Sequence, residues 1–248
     1  MQSTSRSVGS VRIAALLILL TFSTVSASGA EIVTLMPERD ATLFEDVTGT
    51  TASGSGPTLF VGDNRILVTR RALVRFDLAS LIPPDAVVLS VELGLHVSDA
   101  PDETPRDVTL HRVLVDWGEG SSASSGGGGA VALAGDATWL HRFYPGRYWA
   151  NPGGDFEPSS SARAMLGSAG WQSWSGCGLV QDVQGWIDDP SSNHGWLLKG
   201  EEGTASSARG LSSSENQQPE LHPYLRIEYQ GCCVATERTS WSRLKVGY

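Results

Sequence analysis

Leu89-Ser90-Val91-Glu92-Leu93-Gly94-Leu95-His96-Val97 is the stretch whose reading decides the fold. Apolar side chains at 89, 91, 93, 95 and 97 alternate with polar or small ones. A period of two puts the first set on one face of a β-sheet and the second toward water. The spacing predicts a long, half-buried strand with His96 on its solvent side. The same alternation runs through Val74-Arg75-Phe76-Asp77-Leu78 and Leu225-Arg226-Ile227-Glu228-Tyr229, and begins again at Val108-Thr109-Leu110. Ile32 to Met36 and Thr58 to Val61 are shorter candidates, and Gly195-Trp196-Leu197-Leu198-Lys199 reads as a strand buried on both faces. Turn formers punctuate these runs: Gly54-Ser55-Gly56-Pro57, Pro83-Pro84-Asp85, Pro152-Gly153-Gly154-Asp155 and Asp189-Pro190-Ser191 among them. Short alternating runs separated by such turns predict an all-β antiparallel sandwich, jelly-roll-like, rather than βαβ units. One helix is expected at Leu179 to Ile187, where apolar residues recur at three- and four-residue spacing and Asp188-Asp189-Pro190 ends the run.

The ends bound the compartment. Arg6 and Arg12 precede the uncharged run Ile13 to Phe22, and Val25-Ser26-Ala27 supplies small residues for cleavage. This is the pattern of a signal peptide over residues 1–27. Its apolar run falls short of the roughly 20 residues a membrane-spanning helix requires, so no transmembrane segment is expected and the protein reads as secreted. Removing the leader leaves 221 of the 248 residues, enough for one core, and takes away two arginines and no acid, so the formal charge moves from −9 to about −11. Such an acidic balance argues against a nucleic-acid partner, which demands clustered Lys and Arg.

Cys177, Cys232 and Cys233 are too few for a disulfide-built scaffold; Cys177 can pair with either of the others, leaving one thiol over. No CxxC, HExxH or GxSxG occurs. Two stretches break the strand pattern. Ser121 to Ala134, with Gly126 to Gly129 consecutive, is expected to be a mobile loop. Asp136 to Phe156 is long and aromatic, the kind of loop that is usually functional. Beyond residue 230 the basic, partly apolar segment 231–248 reads as a frayed tail or as a sorting or attachment signal.

The ordered motifs Met36-Pro37, Asp40-Ala41-Thr42, Leu59-Phe60-Val61-Gly62, Arg71 to Leu78 and Ile82-Pro83 form the first half of a series. Asp116-Trp117-Gly118-Glu119-Gly120, Asp136-Ala137-Thr138-Trp139, Trp149, Gly153-Gly154-Asp155-Phe156, Gly195 to Lys199, Ser214-Glu215-Asn216 and Pro223 to Tyr229 complete it. This series resembles the DNRLRE domain, a secreted β-sandwich family regarded as a carbohydrate-binding module. The resemblance covers about residues 31–230 and implies a non-catalytic domain that binds an extracellular, in one branch acidic, polysaccharide. Where such domains tend to carry Ser-Arg-Glu, this chain has Ser213-Ser214-Glu215, and the Ser/Gly insertion before Asp136 is a second departure.

Sugar recognition draws on flat aromatics that stack on the pyranose ring and on planar polar groups for its hydroxyls. Trp139, Arg142, Tyr144, Arg147, Tyr148 and Trp149 concentrate these types in eleven residues and form the candidate ligand-binding set. The two arginines suit bidentate contact with uronate carboxylates. Trp139 and Trp149 have a competing reading as packing residues. Trp117, Trp186 and Trp196 read as core, while Trp171 and Trp174 have no assignment. Glu38, Asp40, Glu45 and Asp46, with Asp155, offer oxygens for a possible structural calcium, although no EF-hand spacing occurs. For catalysis, Asp188-Asp189 is a carboxylate pair only by adjacency, and His141, Arg142 and Tyr144 are the residue types a lyase uses. The reading is a non-enzymatic polysaccharide- or cell-surface-binding domain, with a structural or adhesive surface module as its alternative.

Overall fold

The computed structural model describes residues 29–231. The expected leader at 1–27, the tail beyond 231, and Cys232 and Cys233 lie outside the described residues. In chain order the strands are β1 (Ala30–Leu35), β2 (Arg39–Phe44), β3 (Thr51–Ser53), β4 (Thr58–Asp63), β5 (Thr69–Arg75), β6 (Val87–Asp99), β7 (Arg106–Arg112) and β8 (Ala130–Val131). They continue as β9 (His141–Phe143), β10 (Arg147–Tyr148), β11 (Ala162–Leu166), β12 (Gly170–Ser175), β13 (Trp196–Lys199), β14 (Arg209–Ser212) and β15 (Tyr224–Gln230). Among the described residues a single α-helix, α1 (Cys177–Asp188), precedes β13. All pairings are antiparallel, as short alternating strands joined by turns require.

The strands form two layers that share β4. In one layer β6 is central: β12 lies on one edge, and β15 and β14 lie in succession along the other, with β1 beyond β15. The second layer runs β11-β7-β13-β5-β2-β3-β8. Thr58 to Val61 of β4 pair with β14, whereas Gly62 and Asp63 pair with β5. The chain thus changes layers at Gly62, whose φ of 90° favours a residue without a Cβ.

Between the layers lie Val91, Leu93, Leu95 and Val97 of β6, Val108 and Leu110 of β7, Leu225 and Ile227 of β15, and Trp174 and Trp196. Each fully buried large side chain here stabilises by about 1.5–3 kcal/mol. Helix α1 joins this core through Leu179, Val183, Trp186 and Ile187. Trp186 meets Trp196 at 4.5 Å between ring centroids, and Gln184 Oε1 accepts a 2.9 Å bond from Val88 N. A 3-10 turn at Pro190–Ser192 follows the helix, N-capped by Asp189. Cys177, at the helix start, is exposed and has no disulfide partner among the described residues.

Three expectations need correction. Leu89 does not share the face of Val91: it is 46% exposed, while Val88 is buried. β15 pairs Glu228 with Ser90 but the next residue, Tyr229, with Val88, so Leu89 is the extra residue of a β-bulge. A bulge shifts side-chain alternation by one position. The run Val74 to Leu78 leaves its strand after Arg75, because Phe76 O accepts from Asn193 Nδ2 and Asp77 accepts from Ala79 N to open a turn. Its apolar members, Phe76 and Leu78, remain buried.

The third correction concerns Ser121 to Ala134, expected to be mobile. Ala130 and Val131 form β8 on β3, Arg70 Nε donates a 2.7 Å bond to Gly127 O, and the buried Asp136 carboxylate accepts from Ser121 N, Ser122 N and Leu133 N. The segment is tied down through its backbone, which composition does not reveal.

The middle of the second layer, around β2, β5 and β13, is buried on both faces. Ala41, Leu43, Leu73 and Leu197 point away from the inner core by the period of two, yet each is fully buried. They are covered by Val113, Trp117, Ala137 and Trp149, with Val115, Trp139 and Phe156 packed against them. The irregular segment 113–157 is therefore a third layer laid over the sheet.

Candidate functional site

That third layer carries the residues singled out for binding. Thr138 Oγ1 accepts from Leu140 N and His141 N, making a tight turn that launches β9. β9 pairs with β10 through a turn containing the cis Tyr144–Pro145 bond, closed by Gly146 N donating to Phe143 O. The hairpin is anchored below by Tyr144 N to Asp136 O (2.8 Å), Gly118 N to Arg142 O (2.9 Å) and Trp149 N to Leu140 O (3.1 Å). Gly118 cannot carry a side chain, since a Cβ there would lie 2.0 Å from Gly135 O and 2.7 Å from the Phe143 ring.

The six expected binding residues divide between two sides of this layer. Trp149 is 5% exposed, sits in the outer hydrophobic cluster and donates from Nε1 to Thr138 O at 2.9 Å. Trp139 packs against the same cluster, with the Arg71 guanidinium 4.8 Å from its ring centroid. Arg142, Tyr144, Arg147 and Tyr148 lie on the outer side, where Tyr148 is 62% exposed. The Tyr148 ring lies 4.2 Å from the buried His141 ring, and Tyr144 meets His141 edge-on at 5.1 Å. Arg142 and Arg147 sit 5.7 and 5.2 Å from the Phe143 ring centroid. Arg142 Nη1 also donates to Asp116 O, but neither guanidinium has a carboxylate within 4.0 Å among the described residues. In a chain of net charge −9, that leaves a local positive, aromatic surface.

His141 is held as a structural group. It is 4% exposed, its Nδ1 lies 3.0 Å from Thr138 Oγ1, and burial pushes its pKa down. Asp188 accepts from Gln184 Nε2, and Asp189 accepts from Ser191 N, so this adjacent pair serves the helix end. Of the unassigned tryptophans, Trp174 is fully buried and donates to Val108 O at 2.9 Å, while Trp171 is 44% exposed beside Tyr224 and His96.

The acids proposed for calcium do not converge. Glu38 faces Arg75 at 3.5 Å, and Glu45 accepts from Thr69 N. Asp46 accepts from Thr48 N, Thr50 N and Thr51 Oγ1, bonds that hold its pKa well below the ordinary value. Asp155 accepts from Ala150 N and Asn151 N. Asp40 alone is different. It lies in the core end of β2 beside Glu119 and Glu215, partners 79 and 175 residues away that no local spacing reveals. The one sequence signal was that each of the three stands in a motif of the series quoted above.

Two open clefts lie away from the hairpin. One, about 470 Å³, sits under the glycine-rich segment and is lined by Phe60, Arg65, Arg70 and Gly127. Arg70 there is committed to the Val68 and Gly127 carbonyls. The other, about 430 Å³, is polar, with His111, Arg163, Lys199 and Glu202 on its walls. Compared with known proteins, the chain matches no family profile and no curated protein.

Proposed function

We propose that the protein is a secreted, non-catalytic carbohydrate-binding domain of the DNRLRE type, and that its ligand is an extracellular polysaccharide carrying carboxylates. The observation that carries this reading is the outer side of the β9–β10 hairpin. The exposed Tyr148 ring shares this short hairpin with two guanidiniums that have no acid partner among the described residues, Arg142 and Arg147, both set against the Phe143 ring, on an otherwise acidic chain. A tyrosine face suits the apolar side of a pyranose ring. A planar guanidinium suits a uronate carboxylate, and it draws that anion locally against the unfavourable overall charge. The rigid third layer beneath supplies preorganisation, so little ordering entropy opposes binding.

Affinity electrophoresis in gels containing alginate, pectin or neutral cellulose derivatives tests the proposal. Retardation is expected in a uronate gel, with a salt dependence that a neutral gel lacks. Each of Arg142→Gln and Arg147→Gln should weaken binding about tenfold or more, the loss of one hydrogen-bonded charge pair. Tyr148→Ala should weaken it further. Retention of the protein on cells but on no isolated polysaccharide would reject the glycan reading in favour of an adhesive surface module.

A further inference from the structure

We propose that Asp40, Glu119 and Glu215 form a calcium site that joins the two sheet layers and the outer third layer at one end of the sandwich. Asp40 comes from β2 in the second layer, Glu119 from the irregular cover, and Glu215 from the turn after β14 of the first layer. One carboxylate oxygen from each lies within 4.8 Å of the others. Calcium–oxygen distances of about 2.3–2.6 Å allow a single ion to touch three oxygens spread over that span. An all-oxygen, all-carboxylate donor set selects a hard divalent cation.

A group of acids alone would not carry this assignment; the state of its oxygens does. Asp40 is 1% exposed. Its Oδ2 accepts from Ser214 N at 2.8 Å, but its Oδ1 is sealed from solvent with no donor. Glu215 Oε1 accepts from Ser214 Oγ, while Glu215 Oε2 is likewise sealed and without a donor. Glu119 Oε1 accepts from Asp40 N at 2.8 Å. Two sealed carboxylate oxygens without donors, in a cluster of three acids, are a costly arrangement. The neighbouring cation offsets this only in part: the largely buried Arg39 draws the Glu119 carboxyl down somewhat, but its donors go to Asp116 Oδ1 at 2.6 Å and to Trp117 O, not to the triad. Burial and the Glu215 charge push the Asp40 carboxyl well above the usual carboxylate range, and burial raises Glu119 too. A divalent ion supplies the missing charge and the missing partners at once. It also fixes the strand of cover whose Gly118 N bonds Arg142 O beneath the hairpin.

Titration calorimetry with calcium chloride on the purified, EDTA-treated and desalted protein tests the assignment, alongside thermal unfolding. One calcium per chain is expected, with Tm raised by about 5–10 °C at a calcium concentration a hundredfold above the dissociation constant. Glu215→Gln should weaken calcium binding at least tenfold. In EDTA the same variant should be as stable as the wild type or more so, because it removes one of the crowded charges. Asp40→Asn should behave in the same direction, and if it fails to fold, the half-buried Glu215 still decides. Absence of both calcium heat and a melting shift at millimolar calcium would overturn the site and leave protons as what relieves the triad. Calcium binding that survives unchanged in Glu215→Gln would overturn it as well, since the ion would then sit elsewhere. Neither outcome depends on whether a polysaccharide is bound.

Discussion

Two hydrophobic clusters lie back to back on the second layer, separated only by the thickness of β2, β5 and β13, and they are built differently. The inner one, around Trp174 and Trp196, is made by strands whose alternation points apolar side chains at a facing sheet. The outer one, around Trp117 and Trp149, is made by the same strands' opposite faces and by a cover with little regular secondary structure. In the inner cluster backbone bonds run strand to strand, so the side chains need only pack. In the outer cluster the cover must satisfy its own backbone groups. It does so with side chains: Asp136, Thr138 and Asp155 each accept two or more backbone N–H bonds. Each cluster also bonds a tryptophan N–H to a backbone carbonyl, Trp174 to Val108 and Trp117 to His194. The difference bears on where the proposed binding surface lies. A cover held by side-chain acceptors is free to present irregular loops and hairpins outward, as β9 and β10 do, while remaining rigid from below.

That contrast is open to attack at four points. The largest effect is expected from Trp174→Ala in the inner cluster: a loss toward the upper end of about 3–5 kcal/mol, read by urea denaturation as one cooperative transition. A loss under 1 kcal/mol would mean the inner core is not the mainstay of the fold. Trp149→Ala should fall toward the lower end of the same range, about 3 kcal/mol, because the cover can settle onto the sheet. Its signature is local: hydrogen exchange should accelerate across 136–157 more than in β6 and β15. Uniform acceleration would merge the two clusters into one unit.

A smaller effect belongs to the ion pair that pins the edge of the cover. Arg71 donates to both Glu202 oxygens, at 2.7 and 3.1 Å, and to Gly153 O, while its guanidinium lies over Trp139. Arg71 and Lys199 hold the Glu202 pKa below its ordinary 4.5 despite burial. A lowered folded value means the stabilisation is present above pH 4.5 and is lost as pH falls through the lowered value. Glu202→Gln should therefore cost about 2 kcal/mol at neutral pH and close on the wild type as pH falls below 4.5 and through the lowered value. A difference independent of pH would show that Arg71 works through packing alone. The smallest effect is on stability itself at the proposed binding surface: Tyr148→Ala should stay within about 0.5 kcal/mol of wild type, as exposed positions do. A larger loss would make Tyr148 part of the outer core.

The fold was legible where one physical rule governs many residues. Alternation located β6, β15 and β7, a short continuous apolar run located β13, three- and four-residue spacing located α1, and its Asp-Pro stop was read correctly. Residues of the cover were legible only by type. Trp139, Arg142, Tyr144, Arg147, Tyr148 and Trp149 stood out as a cluster, but which of them faces outward depends on a hairpin whose strands are two and three residues long. Period two has no purchase on so short a run. β2 was hidden for another reason: Asp40-Ala41-Thr42-Leu43 alternates only over four residues, and its polar side, Asp40 and Thr42, is buried as deeply as its apolar side.

By itself the sequence determined that most of this chain would be β-structure with one helix, since repeated side-chain spacing is a local property that survives in a string of letters. Only the tertiary structure decided that a third layer covers the sheet, that Leu89 is turned out by a bulge, and that Asp40, Glu119 and Glu215 come together. Those facts depend on which distant segments share a face, and that is set by packing and backbone pairing across the whole domain rather than by any neighbour in sequence.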